Sequence, residues 1–165
     1  ITIPSPDTDE EDEIIYGCMD EGAFNYNPDA TSPDRSCQYG KVVTSLEFGK
    51  IDSVDNIVPI IIYNNEPLAG FQFSVTGVKV VNVFGGMAEE KGFMMATNDG
   101  QVLGFSSNSE MDATRGGNQI LCYVEIKFIQ GYGISDMCMN NIILSNSMGR
   151  KIENIYNASL TCYGD

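Results

Sequence analysis

Between Cys18 and Cys37 the chain carries Asp20, Glu21, Asn25, Asn27, Asp29, Asp34 and Ser36, while Gly22, Pro28 and Pro33 break any helix. Hard oxygen donors on a looping segment are what calcium takes, roughly six to eight at a time, without imidazole or thiolate. A segment of roughly 20 residues cannot bury enough surface to fold unaided. A disulfide or a bound metal must hold it, and Cys18 with Cys37 would provide the staple.

The rest of the chain offers little chemistry. Histidine and tryptophan are absent, which removes Ser-His-Asp and Cys-His machinery, His-ligated zinc and any side chain titrating unperturbed near neutrality. Carboxylate pairs such as Asp52 with Asp55, Glu89 with Glu90 and Glu110 with Asp112 could in principle cleave glycosides. They fall in turns or a short helical stretch, however, and read as solvated faces with no aromatic platform beside them. Gly85-Gly86 and Gly116-Gly117 lack the Lys-Ser or Lys-Thr of a phosphate loop. Asn157-Ala158-Ser159 matches a glycosylation sequon, a pattern of low specificity. Cys122 shares a strand face with Val124, Ile126 and Phe128 and reads as a buried free thiol. The expectation is a protein with no catalytic residues.

The elements that position these residues follow from length, charge and periodicity. The 165 residues suffice for one ordinary domain and a small appendage. Lys plus Arg number 9 against 23 Asp plus Glu, a formal charge of −14. Such acidity argues against nucleic acid and anionic lipid as partners. No apolar run is long enough to span a bilayer. With no Met start and no basic-then-apolar leader, the chain reads as a processed product or a piece of something longer. Residues 1–15 form an acidic linker or arm, in which Asp7 to Glu13 repel one another into an extended chain. Residues 16–40 are the cysteine-bounded loop, and residues 41–165 the main domain.

From Lys41 onward the hydrophobic period is two. Phe71, Phe73 and Val75 alternate with polar residues, as do Ile120, Cys122, Val124, Ile126 and Phe128 with their neighbours. Further strands are expected at 42–48, 57–63, 78–83, 101–106, 141–144 and 152–160, and one helical turn at 87–91 stopped by Gly92. Many short strands in about 125 residues indicate an all-β fold, an antiparallel β-sandwich. Cys138 and Cys162 flank the last two strands, and a hairpin between those strands would join them. Two disulfides imply an oxidising compartment. The paired methionines Met94-Met95, and Met137 to Met139, read as core filler.

Two resemblances add to this. The segment Gly17, Cys18, Asp20, Ala23, Asn25, Tyr26, Asn27, Pro28, Ala30, Asp34, Ser36, Cys37 resembles, in register, the short calcium-binding repeats related to thrombospondin type 3 repeats, found in surface proteins of marine bacteria and in phage structural proteins. The resemblance implies bound Ca2+, with Asp20, Asn25, Asn27 and Asp34 as ligands. Pro33 stands where the pattern has an Asp, and Arg35 where it has a Gly, so one carboxylate is lost and a positive charge added. A purely disulfide-held clip is the alternative. Over roughly residues 44–162, Leu68 to Val75, Gly85 to Ala88, Gly92-Phe93, Val102 to Ser106 and Ile120 to Ile126 resemble, in order, the cohesin-like sandwich family, which implies a cohesin-like jelly roll.

The function expected from these features is a non-enzymatic extracellular structural or adhesive building block of a surface fibre, appendage or virion. It would be stiffened by calcium and disulfides and assemble with copies of itself or with neighbouring modules. The alternative is a recognition module for a dockerin-like protein partner or a glycan; the glycan version lacks evident exposed aromatics.

Overall fold

A computed structural model of the chain describes residue 2 and residues 13–23, 25–38, 44–113, 119–153, 155–156 and 160–164. Most of the acidic arm, Gly116-Gly117 and the sequon at Asn157 lie outside the described residues. The chain divides into two compact units, Ile1–Gly40 and Lys41–Asp165.

In the first unit, β1 (Tyr16–Gly17) pairs in parallel with β2 (Ser32–Pro33), and Cys18 is bonded to Cys37. Its small interior is made by Cys18 and Ala23, both buried. Gly17 is required by close approach. A Cβ there would lie 3.0 Å from Asn27 Nδ2 and 3.2 Å from Ala30 Cβ.

The second unit contains β3 (Thr44–Phe48), β4 (Ile57–Tyr63), β5 (Gly70–Thr76), β6 (Val78–Phe84), α1 (Gly86–Glu90), β7 (Met94–Asn98), β8 (Gln101–Phe105), β9 (Gln119–Phe128), β10 (Cys138–Ser145), β11 (Ile155–Tyr156) and β12 (Thr161–Cys162). They form two five-stranded sheets, ordered β12-β10-β5-β8-β7 and β11-β3-β4-β9-β6. The period-two segments place one side of each strand in a common core. Phe71, Phe73, Val102, Met139 and Leu144 from the first sheet bury with Leu46, Ile60, Ile62, Leu121, Val124 and Ile126 from the second. Cys122 is buried there as a free thiol, and desolvation pushes its pKa far up, which makes it a small hydrophobe rather than a nucleophile.

Four expectations need correction. Met94–Asn98 is a strand, not core filler: Met95 packs against the core, but Met94 is exposed. The segment 152–160 is not one strand. Ile152 N–H donates to Leu144 O at 2.8 Å, closing a turn after β10. The chain then gives β11 to the opposite sheet and returns as β12 beside β10. The sandwich is not wholly antiparallel, since β11 runs parallel to β3. Exposed aromatics do exist, Phe105, Phe128, Tyr132 and Tyr156 among them. The pairing of Cys138 with Cys162 is present, and they sit directly opposite each other on β10 and β12.

Candidate functional site

The loop unit places each expected ligand in a backbone-fixing role. Asp20 Oδ1 accepts from Gly22 N–H at 2.8 Å, Asn27 Oδ1 from Asp29 N–H at 3.0 Å, and Asp34 Oδ1 from Ser36 N–H at 2.8 Å. Each closes a turn two residues on, the local bonding these side chains favour. Asn25 does more. Its Nδ2 donates to Ser36 O and its Oδ1 accepts from Gln38 N–H, both at 2.8 Å, so one amide ties the middle of the loop to the two residues that flank Cys37. Bonds from the Ser36 side chain and from its N–H hold the Asp34 carboxyl below the usual carboxylate range. With both cysteines in the disulfide, the segment presents oxygen donors and no thiolate. That donor chemistry fits a hard cation. Among the described residues, no three His, Cys, Asp or Glu side chains gather into a group that could hold a metal.

In the sandwich, the carboxylate pairs serve locally. Asp52 Oδ1 accepts from Val54 N–H at 2.9 Å, Glu110 Oε1 accepts from Ser147 N–H at 3.1 Å, and Asp112 lies 3.6 Å from Lys91 in an exposed ion pair. Such a surface pair adds little stability. A cleft lined by Pro59, Phe84, Ile120 and Tyr123, with Lys50 and Asp52, has a volume of about 410 Å³. The Phe84 and Tyr123 rings stack there with centroids 5.8 Å apart.

The feature that sequence reasoning missed is the outer face of the first sheet. β5, β7, β8, β10 and β12 contain no charged residue at all, in a chain of net charge −14. The second sheet carries Glu47, Lys79, Glu125 and Lys127. Register places Ile143, Gln72, Leu103 and Ala96 in one row across four strands of the first sheet, beside a row of Ser145, Gly70, Phe105 and Met94. Four of these are large, apolar and open: Met94 at 63% exposure, Ile143 and Phe105 at 43%, Leu103 at 40%. Met94 and Phe105 are register partners with Leu103 beside them, and Ile143 lies beyond Gln72 on the same face. Exposed apolar side chains gathered on an uncharged face are a common feature of interaction surfaces. The available signal was Asn98-Asp99-Gly100-Gln101, since Asp-Gly between alternating segments marks a two-residue hairpin. It would have revealed β7 and hence the width of the face.

The two disulfides fit an oxidising compartment, and no helix among the described residues is long and apolar enough to cross a membrane. No protein-family model matches the chain, and no curated protein matches it. Among solved structures the chain is similar to a non-cellulosomal cohesin from the hyperthermophilic archaeon Archaeoglobus fulgidus, with 18% identity, 67% of this chain and 83% of that one covered, and a TM-score of 0.47. It is also similar to a type I cohesin–dockerin complex from Clostridium thermocellum, with 10% identity, 68% and 93% covered and a TM-score of 0.46. A third similar structure is a cohesin from Clostridium acetobutylicum, with 12% identity, 73% and 90% covered and a TM-score of 0.43. The chain is a two-sheet β-sandwich preceded by a disulfide-closed loop unit, and the structures to which it is similar are cohesins.

Proposed function

We propose that the chain is a non-enzymatic extracellular building block that assembles with copies of itself or neighbouring modules through the outer face of the sheet β12-β10-β5-β8-β7. The observation that carries this reading is the uncharged apolar patch of Met94, Leu103, Phe105 and Ile143. Chains of net charge −14 repel one another over most of their surface. They approach most easily where charge is absent, and burying apolar area then supplies the free energy. Sedimentation velocity over a range of concentrations tests this. The wild-type protein is expected to associate. Leu103→Asp, at an exposed position that leaves the fold intact, is expected to weaken association at least about tenfold, because burying an unpaired carboxylate costs more than about 1.4 kcal/mol. A wild-type protein that stays monomeric at every concentration sinks the reading. The second reading is a recognition module for a dockerin-like protein or a glycan, favoured by the exposed Phe105 ring on the same face. Saturable binding of such a ligand by a monomer would establish it instead.

In the same reading the loop unit binds calcium through Asp20, Asn27 and Asp34 with backbone carbonyls, while Asn25 is the clamp of the loop. The oxygen-only donor set of the disulfide-closed segment supports this. Calcium there supplies no chemistry beyond stiffening. A cation at about 100 times its Kd adds about 2.7 kcal/mol to the state that binds it. Unfolding of residues 13–38, followed by amide NMR, is expected to occur at higher temperature in calcium than in chelator, with the difference lost in Asp34→Ala. Identical melting in both solutions would make the unit a disulfide clip alone.

A further inference from the structure

The sandwich has four sheet edges, and they are not alike. Among the described residues β11 and β12 are two residues each. β6 carries Lys79 and a register irregularity between Val80 and Asn82. Short length, a lysine and a bulge are the usual means by which an edge is kept from pairing with another chain. β7 has none of them. It is five residues long, Met94-Met95-Ala96-Thr97-Asn98, in unbroken register with β8 and without charge or proline. Among the described residues β7 pairs only with β8.

The hairpin fixes which groups of β7 point away from β8. Asp99 and Gly100, at φ 48° and 80°, form the two-residue turn between Asn98 and Gln101. A two-residue loop of this left-handed type makes its flanking residues a hydrogen-bonded pair. Hydrogen-bonded and non-hydrogen-bonded pairs then alternate back along the ladder. Asn98, Ala96 and Met94 bond to β8, while the N–H and C=O of Met95 and Thr97 face outward.

We propose that two copies of the chain pair β7 to β7, antiparallel, about a two-fold axis at Ala96. This register alone sets Met95 opposite Thr97 of the other copy and Thr97 opposite Met95. Every outward N–H and C=O of both strands is then used. A second copy is the occupant the observations favour, because the same pair of outward residues complements itself under a two-fold axis. An uncharged strand is also where two strongly acidic chains can touch. The pairing joins the two apolar faces edge to edge, since Met94 and Ala96 lie on the same open face as Leu103 and Phe105. The inference rests on the proposed self-assembly and adds to the contact through the face a second one at the sheet edge.

In this arrangement Ala96 faces Ala96 of the other copy as a non-hydrogen-bonded pair, with Cα atoms about 4.5 Å apart. That lies within the roughly 4.4–6.8 Å that a disulfide spans. Cys138 and Cys162 show within this chain that directly opposite strand residues can be so bonded. Full-length Ala96→Cys in a glutathione redox buffer is therefore expected to give a covalent dimer on a non-reducing gel, several-fold more than Val54→Cys at an exposed turn. Adding Thr97→Pro, which removes an outward N–H and leaves the β8 ladder intact, is expected to abolish the dimer. Ala96→Lys, which places like charges across the axis at an exposed position, is expected to weaken association of the wild-type cysteine background at least tenfold and covers the case in which the proline variant misfolds. Amide exchange at Met95 and Thr97 is expected to slow several-fold as concentration rises. Should Ala96→Cys cross-link no better than Val54→Cys while Leu103→Asp still weakens association, edge pairing is overturned and assembly through the face stands. Should the wild-type protein never associate, both fall together.

Discussion

Gly104→Ala is expected to lower the melting temperature of the sandwich by roughly 10 °C. The added Cβ would lie 2.2 Å from Phe71 Cζ and 2.3 Å from its Cε1. Relief would require the ring to move, and it has nowhere to go. Phe71 is 2% exposed, and its neighbours Phe73 and Phe93 stack on it with centroids 6.2 and 6.1 Å away. Overpacking a filled core costs about 1–3 kcal/mol, and evicting a phenylalanine about 3–5 kcal/mol. A loss near 3 kcal/mol in a chain of this size corresponds to the temperature change stated. Calorimetry on Gly104→Ala, Phe71→Leu and the double variant separates the clash from other effects. The double variant should recover part of the loss, because the smaller side chain vacates the position the Cβ needs. Strictly additive losses would mean that the ring is not what excludes a Cβ at 104.

Replacing Cys18 and Cys37 by serine is expected to unfold residues 13–38. The disulfide closes a sequence separation of 19, and a bond across a loop of that length contributes about 3 kcal/mol, chiefly by restricting the unfolded chain. Little else is available to replace it. The unit buries only Cys18, Ala23 and Gly17 among its described residues. Its remaining ties are single hydrogen bonds such as those of Asn25, each worth about 1 kcal/mol net. In chelator, the amide signals of Gly17, Ala23, Asn27 and Ala30 should collapse toward random-coil positions, and protease should cut between Met19 and Ser36. Retention of dispersed signals in the double serine variant would show that the turn and clamp hydrogen bonds suffice without the staple.

Much of the sandwich was legible because a strand's period of two is written directly in its residues. Ile57–Tyr63 and the alternation through Phe71, Phe73 and Val75 coincide with β4 and β5. Buried Cys122 followed from the same alternation. The C-terminal crossing was not legible. The segment after Ile152 looks like one β-prone run, and only the bond between Cys138 and Cys162 and the place left beside β3 divide it between two sheets. In the loop unit, residue types indicated oxygen-donor chemistry, but sequence could not say that Asn25 spends both ends of its amide on backbone groups 11 and 13 residues away.

The sequence by itself determined an acidic, His-free, β-rich chain, because charge, residue type and hydrophobic period are local properties, while the two expected cysteine pairs are joined in the structure. Only the tertiary structure decided that the strands of one sheet are free of charge, that Met94, Leu103, Phe105 and Ile143 share its open face, and that β7 ends it without charge, proline or bulge. Period two tells which side chains share a side of a strand. It does not tell which side faces the other sheet or which strand lies last. Those depend on the order in which strands far apart in sequence hydrogen-bond, as β10 does between β12 and β5.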